Sequence, residues 1–204
     1  MSENREVKSI DFSLYTDNDV KVFAKDLKEY VVYDEGESKF VGDFKVSTTY
    51  LDGIHTTISI NKTSEASKLN LTATVNMDVN KIGTNMKKSK ALKWTITNGD
   101  STNPGSVIAQ GNFIGSNNGD TLTLAPNLEV TTTIKKYTVW IWIDANEHPS
   151  ELLSGETLDT NVWTEINQTE GIDNTFEVTR INAKIMLLAL GDYGYQKGDT
   201  KTNI

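Results

Sequence analysis

The sequence predicts an all-β fold, a jelly-roll-like β-sandwich with at most one short helix, and three observations carry that expectation. Thr and Asn are abundant while Ala, Leu and Arg are thin, a composition that suits pleated, half-exposed strands and their turns better than helices. Short apolar runs with a period of two recur from Phe40 to Leu188. Between them stand the turn signals Asp52-Gly53, Asn98-Gly99-Asp100 and Asn117-Asn118-Gly119-Asp120, the last two with residues that accept the positive φ of tight turns. With 204 residues, the chain fits a single sandwich domain over residues 1–204.

The elements follow in order. Ile10, Phe12 and Leu14 alternate with Ser9, Asp11 and Ser13, which predicts a first strand within residues 1–15. Asp17-Asn18-Asp19 then precedes a helical stripe of Val20, Phe23, Ala24, Leu27, Tyr30 and Val31, with acceptors placed to cap its start. This predicts one short helix near residues 19–31, although Val20 and Val22 would also suit a strand. Further strands are expected at Phe40–Val46, Thr56–Ile60, Leu69–Asn76, Ala91–Thr97, Ser106–Phe113, Thr121–Leu124 ending at Pro126, Lys136–Asp144, Asn161–Asn167 and Thr175–Leu188. Trp94, Phe113, Leu122, Leu124, Val139, Ile141, Ile143 and Val162 are the expected core, joined by Trp163.

The net charge of -8 argues against nucleic acid as a partner, because neutralising phosphates needs a surplus of Lys and Arg. The absence of cysteine excludes a disulfide frame, a thiolate metal site and a thiol nucleophile. The longest apolar run, Ile185–Leu190, is far too short for a transmembrane segment. Three N-x-Thr sequons, at Asn61, Asn70 and Asn167, are what so much Asn and Thr generates by chance.

The segments Leu92-Lys93-Trp94, Val107–Phe113 and Tyr137–Asp144 together form a recognisable pattern over roughly residues 70 to 170. It resembles exported proteins of Firmicutes that place a "sGxF" strand before a "Yt-x-W-I-D" strand, and through them the TasA and camelysin group. The resemblance implies a secreted jelly-roll β-sandwich found in cell-surface and biofilm-matrix fibres, and hence a non-catalytic structural role. It also implies an extracellular or cell-surface location, with a leader removed before residue 1. The metalloprotease activity suggested by the camelysin name is not carried over, since H-E-x-x-H is missing.

The chemistry-bearing residues are few. His55 and His148, the two histidines, are expected in turns as solvated side chains, and no nucleophile elbow or phosphate loop occurs, so no catalytic residue is assigned. No cofactor is expected beyond calcium, for which Asp144, Asn146 and Glu147 gather oxygen donors directly after a rigid strand. Trp140 and Trp142 are two apart and therefore share a face. Uncovered, they would make an aromatic platform for cell-surface glycans; covered, they would be core. Finally, Ile10, Phe12 and Leu14 must bury one face somewhere. They could pair within their own sheet or complete the sheet of a neighbouring copy, giving self-association into fibres.

Overall fold

A computed structural model describes residues 13–15, 21–23, 31–34, 40–42, 46–64, 67, 70–147, 153, 155–168 and 175–187. The strands are β1 (Ser13–Tyr15), β2 (Lys21–Phe23), β3 (Val31–Asp34), β4 (Val46–Ser47), β5 (Ile54–Lys62), β6 (Leu71–Ile82), β7 (Leu92–Asn98), β8 (Val107–Asn112), β9 (Asp120–Val130), β10 (Lys135–Asp144), β11 (Leu158–Gln168) and β12 (Thr175–Leu187). One sheet has the order β3-β5-β10-β7-β8, with β4 added in parallel at the end of β10. The other has the order β12-β11-β6-β9. Connections from β5 to β6, β6 to β7, β8 to β9, β9 to β10 and β10 to β11 all cross between the sheets, whereas β7-β8 and β11-β12 are antiparallel neighbours.

Alternation decides which residues meet between the sheets. On β6 the odd-numbered Leu71, Ala73, Val75, Met77 and Val79 are buried, and they face Ile58, Trp94, Ile96, Val139, Ile141 and Ile143 of the opposite sheet in one apolar cluster. Phe113, Leu124 and Val162 join them and Leu122 packs against their edge, so the expected core is found at every position except Trp163. The turns form where glycine permits: Gly99 and Gly119 adopt φ of 83° and 92°. A carboxylate the sequence did not single out, Glu156, accepts the backbone N–H groups of Asn85 and Met86. It thereby ties the turn after β6 to the segment leading into β11.

Three expectations are revised. Lys21–Phe23 is a strand paired with Ser13–Tyr15, the extended alternative that the Val pair offered in place of a helix; residues 24–30 lie outside the described residues. The strand expected to stop at Pro126 runs on to Val130. It can do so because β9 is an edge strand, where the missing N–H of proline costs no ladder bond, and because Asn127 at φ 56° absorbs the irregularity. His55 stands within β5 and not in a turn, while His148 lies outside the described residues.

Candidate functional site

β10 is apolar on both sides, and the two sides have different occupants. Tyr137, Val139, Ile141 and Ile143 face the other sheet, whereas Thr138, Trp140, Trp142 and Asp144 point outward from the sandwich. The outward side is nevertheless covered. Trp140 is 2% exposed and Trp142 6%, so neither offers a ring face to a sugar; the platform reading of these two residues is corrected. The covering segment is the 3-10 turn Tyr50–Asp52 between β4 and β5. Tyr50 meets Trp140 edge to face at 5.6 Å, and His55 lies tilted against the same indole at 4.9 Å. Gly53 lets this turn lie against the sheet, since a Cβ there would sit 2.6 Å from the Ile141 carbonyl oxygen.

Burial of two indoles demands partners for two N–H groups, and the neighbouring strand supplies them. Trp140 Nε1 donates to Thr97 Oγ1 and Trp142 Nε1 to Thr95 Oγ1, each at 3.0 Å. Thr138 continues the ladder, with its hydroxyl 2.9 Å from that of Thr57 and 2.8 Å from the Gly99 carbonyl. The abundance of threonine thus has a second use: hydroxyls that satisfy a buried aromatic layer.

At the end of β10 the calcium candidates meet a lysine. Lys93 Nζ lies 2.7 Å from Asp144 Oδ2 and 3.1 Å from Glu147 Oε1, and 5.7 Å from the centre of the Trp142 ring. Asn146 turns its backbone N–H to Asp144 Oδ1 at 2.9 Å. Partial burial pulls the Lys93 ammonium down, but hydrogen bonds and charge from Asp144 and Glu147 outweigh it and hold the group above the usual lysine range. The acids therefore already hold an ammonium, which supplies one of the two positive charges a calcium ion would bring. Among the described residues no group of three or more His, Asp or Glu side chains is placed to share a metal.

Trp163 is on the outer face of the four-stranded sheet, half-buried, with Nε1 donating to Asp78 Oδ1 at 2.9 Å. Thr121 donates to the same carboxylate oxygen at 2.9 Å, and Thr123 to Asn76 Oδ1 at 3.3 Å. This row was not foreseen from sequence, although the parity is visible: Val162 and Ile166 are inward, which turns Trp163 outward. Of the assembly residues, Leu14 lies in β1 opposite Val22; Ile10 and Phe12 lie outside the described residues. No helix among the described residues is long and apolar enough to cross a membrane.

The fold and these contacts define an all-β sandwich with a buried aromatic outer layer on one sheet. No family model matches the chain, and no curated protein matches it in sequence. Among solved structures it is similar to AvmM, which catalyses macrocyclization in alchivemycin A biosynthesis, at 11% identity over 84% of this chain and 92% of that one. The TM-score is 0.31, and a likeness of that degree carries no functional argument.

Proposed function

We propose that this protein is a non-catalytic structural component of the bacterial cell exterior that associates with copies of itself, as a subunit of a surface or biofilm-matrix fibre. One observation carries the reading: the residues with the most chemical potential in the described part of the chain are engaged with one another. Trp140 and Trp142 are bonded to threonines, and Lys93 is paired with both Asp144 and Glu147. What remains for function is surface and sheet edge. The segment with Ile10, Phe12 and Leu14 is the natural donor strand for a neighbouring copy. Electron microscopy and light scattering of concentrated protein are expected to reveal filaments, lost on deletion of residues 1–15 from a chain that still gives a β-type circular dichroism spectrum. A full-length protein that stays monomeric throughout would refute the reading.

Binding of cell-surface glycans is the second reading, now supported by Trp163 and not by Trp140 or Trp142. A half-buried indole beside Asn76, Asp78, Thr121 and Thr123 combines a stacking surface with hydrogen-bonding side chains, the mixture that saccharide recognition uses. Glycan-array binding that disappears in Trp163→Ala and survives in a protein altered elsewhere on the surface would favour this reading.

A further inference from the structure

The edges of the two sheets are not equally protected. β9 carries Asp120, Glu129, Pro126 and the positive-φ Asn127, features that discourage pairing with another chain. The β12 strand contains Glu177, Arg180 and Lys184, and β3 ends on Asp34. β8, whose one irregularity is a bulge at Ile108, has no charged side chain, no proline and no positive φ. It lies in a stretch from Ser101 to Gly119 without a single charged side chain, in a protein of net charge -8. Its Val107 and Ile108 are exposed, and Ile114 just beyond it is 47% exposed. Among the described residues no strand pairs with its outer edge.

The backbone register states which groups are open. Asn98 donates its N–H to Ser106 O, whereas Gly99 donates to Lys136 O on β10. Even-numbered residues of β7 therefore turn their peptide groups to β8, and odd-numbered residues to β10. Trp94 and Ile96, opposite Gly111 and Ala109, satisfy those two residues of β8. Gln110 and Asn112 are left with N–H and C=O directed outward, whereas Ile108 is the extra residue of a bulge, at the register shift between Ile96 and Thr97.

We propose that this edge is a two-fold interface: β8 of one copy pairs antiparallel with β8 of a second, centred on Gln110. This refines the self-association reading and rests on it. Centring on Gln110 places Gln110 opposite its own counterpart in a reciprocal hydrogen-bonded pair and aligns residues 108–112 of the two strands, with Asn112 opposite the bulged Ile108. A centre at Ala109 would pair Asn112 with Ser106, outside the strand. The axis runs perpendicular to the sheet, and the six-stranded sheets of two copies become continuous. No like charges are brought face to face in the ladder, which the acidic balance of the chain makes uncommon elsewhere on its surface. The contact is closed on itself, and is thus separate from any propagating strand donation.

The test is a charge pair at residue 110, where the side chain is exposed. Sedimentation equilibrium is performed on the full chain, on Gln110→Lys, on Gln110→Glu and on an equimolar mixture of the two variants. Like charges directly opposite each other should weaken association of each variant by up to about fivefold, with unchanged thermal melting of dilute, dissociated protein. The mixture should recover association, because Lys then faces Glu. A wild-type protein that remains monomeric at every concentration overturns both this interface and the self-association reading. A wild type that associates while either single variant associates equally well, or while the mixture fails to recover, overturns the β8 interface alone.

Discussion

The two sheets treat their outer faces in opposite ways. On the six-stranded sheet the outward side of β10 is sealed by the turn from β4 to β5, and Trp140 is 2% exposed with a neutral hydroxyl on its N–H. On the four-stranded sheet Trp163 is partly exposed and its N–H is on a carboxylate. The same residue type has become a second core in one place and a surface feature in the other. The difference does not reside in the strands, since both tryptophans sit in strands with apolar residues on the inward side. It resides in the covering segment, and that segment exists because β4 pairs in parallel with the end of β10 and then returns across Trp140 to begin β5.

If that account is right, the two tryptophans should differ sharply in cost of removal. Trp140→Ala should lower stability by about 3–5 kcal/mol, the range for a large aromatic taken from a core. Trp163→Ala should lose about 1 kcal/mol less, because part of the ring keeps its water in the folded state. Urea denaturation of both variants measures the contrast, and equal losses would contradict it. Gly53→Ala attacks the cover itself. Its methyl group would meet the Ile141 carbonyl oxygen at 2.6 Å and Trp142 Cβ at 2.9 Å, so the turn must lift from the sheet. A loss of about 1–3 kcal/mol is expected, accompanied by increased quenching of tryptophan fluorescence by acrylamide.

The inward faces were legible in the sequence because period-two alternation specifies them directly: Leu71, Ala73 and Val75 lie on the face their spacing assigns, as do Val139, Ile141 and Ile143. The glycine turns at Gly99 and Gly119 were legible for a similarly local reason. The fate of Trp140 and Trp142 was not, since alternation says only that they share a face, and the cover comes from residues about ninety positions away along the chain. The pairing of Lys93 with Asp144 and Glu147 was hidden likewise, because it depends on the register between β7 and β10. Trp163 was misplaced by residue type, when the parity of Val162 and Ile166 already pointed it outward.

The inward face of β11 offers a gain in stability. Thr160 and Thr164 lie fully buried between Leu158, Val162 and Ile166, and among the described residues their hydroxyl oxygens have no hydrogen-bond partner. The hydroxyls of Thr95, Thr97 and Thr138, by contrast, hold the other buried layer together. Thr164→Val removes an unsatisfied group while keeping the branched shape, and should raise stability by about 1 kcal/mol. Thr97→Val strands the Trp140 N–H, and should lower it by about 1–3 kcal/mol. Opposite signs for two identical substitutions in one protein would establish that the threonines serve two environments; matching signs would refute it.

The smallest effect concerns Lys93. Although burial opposes its charge, Asp144 and Glu147 hold its ammonium above the ordinary lysine range, so the folded protein binds this proton more tightly than the unfolded chain does. Such a group contributes stability that is complete below the unfolded-state value, near 10.5, and that is lost as pH rises through the folded-state value. Between neutral and mildly alkaline pH the contribution should be constant, and the loss should begin only above the usual lysine range. The magnitude is modest because Glu147 is 37% exposed and Lys93 21% at the side chain, where water and salt screen the pair. Lys93→Met keeps the stem that lies along Trp142 and removes the charge. Its stability should fall below that of the wild type at neutral pH, with the gap closing as the wild type is titrated into the alkaline range. A gap that is unchanged at high pH would assign the loss to packing against Trp142 and not to the ion pair, and a gap that closes on adding salt at neutral pH would agree with the ion pair.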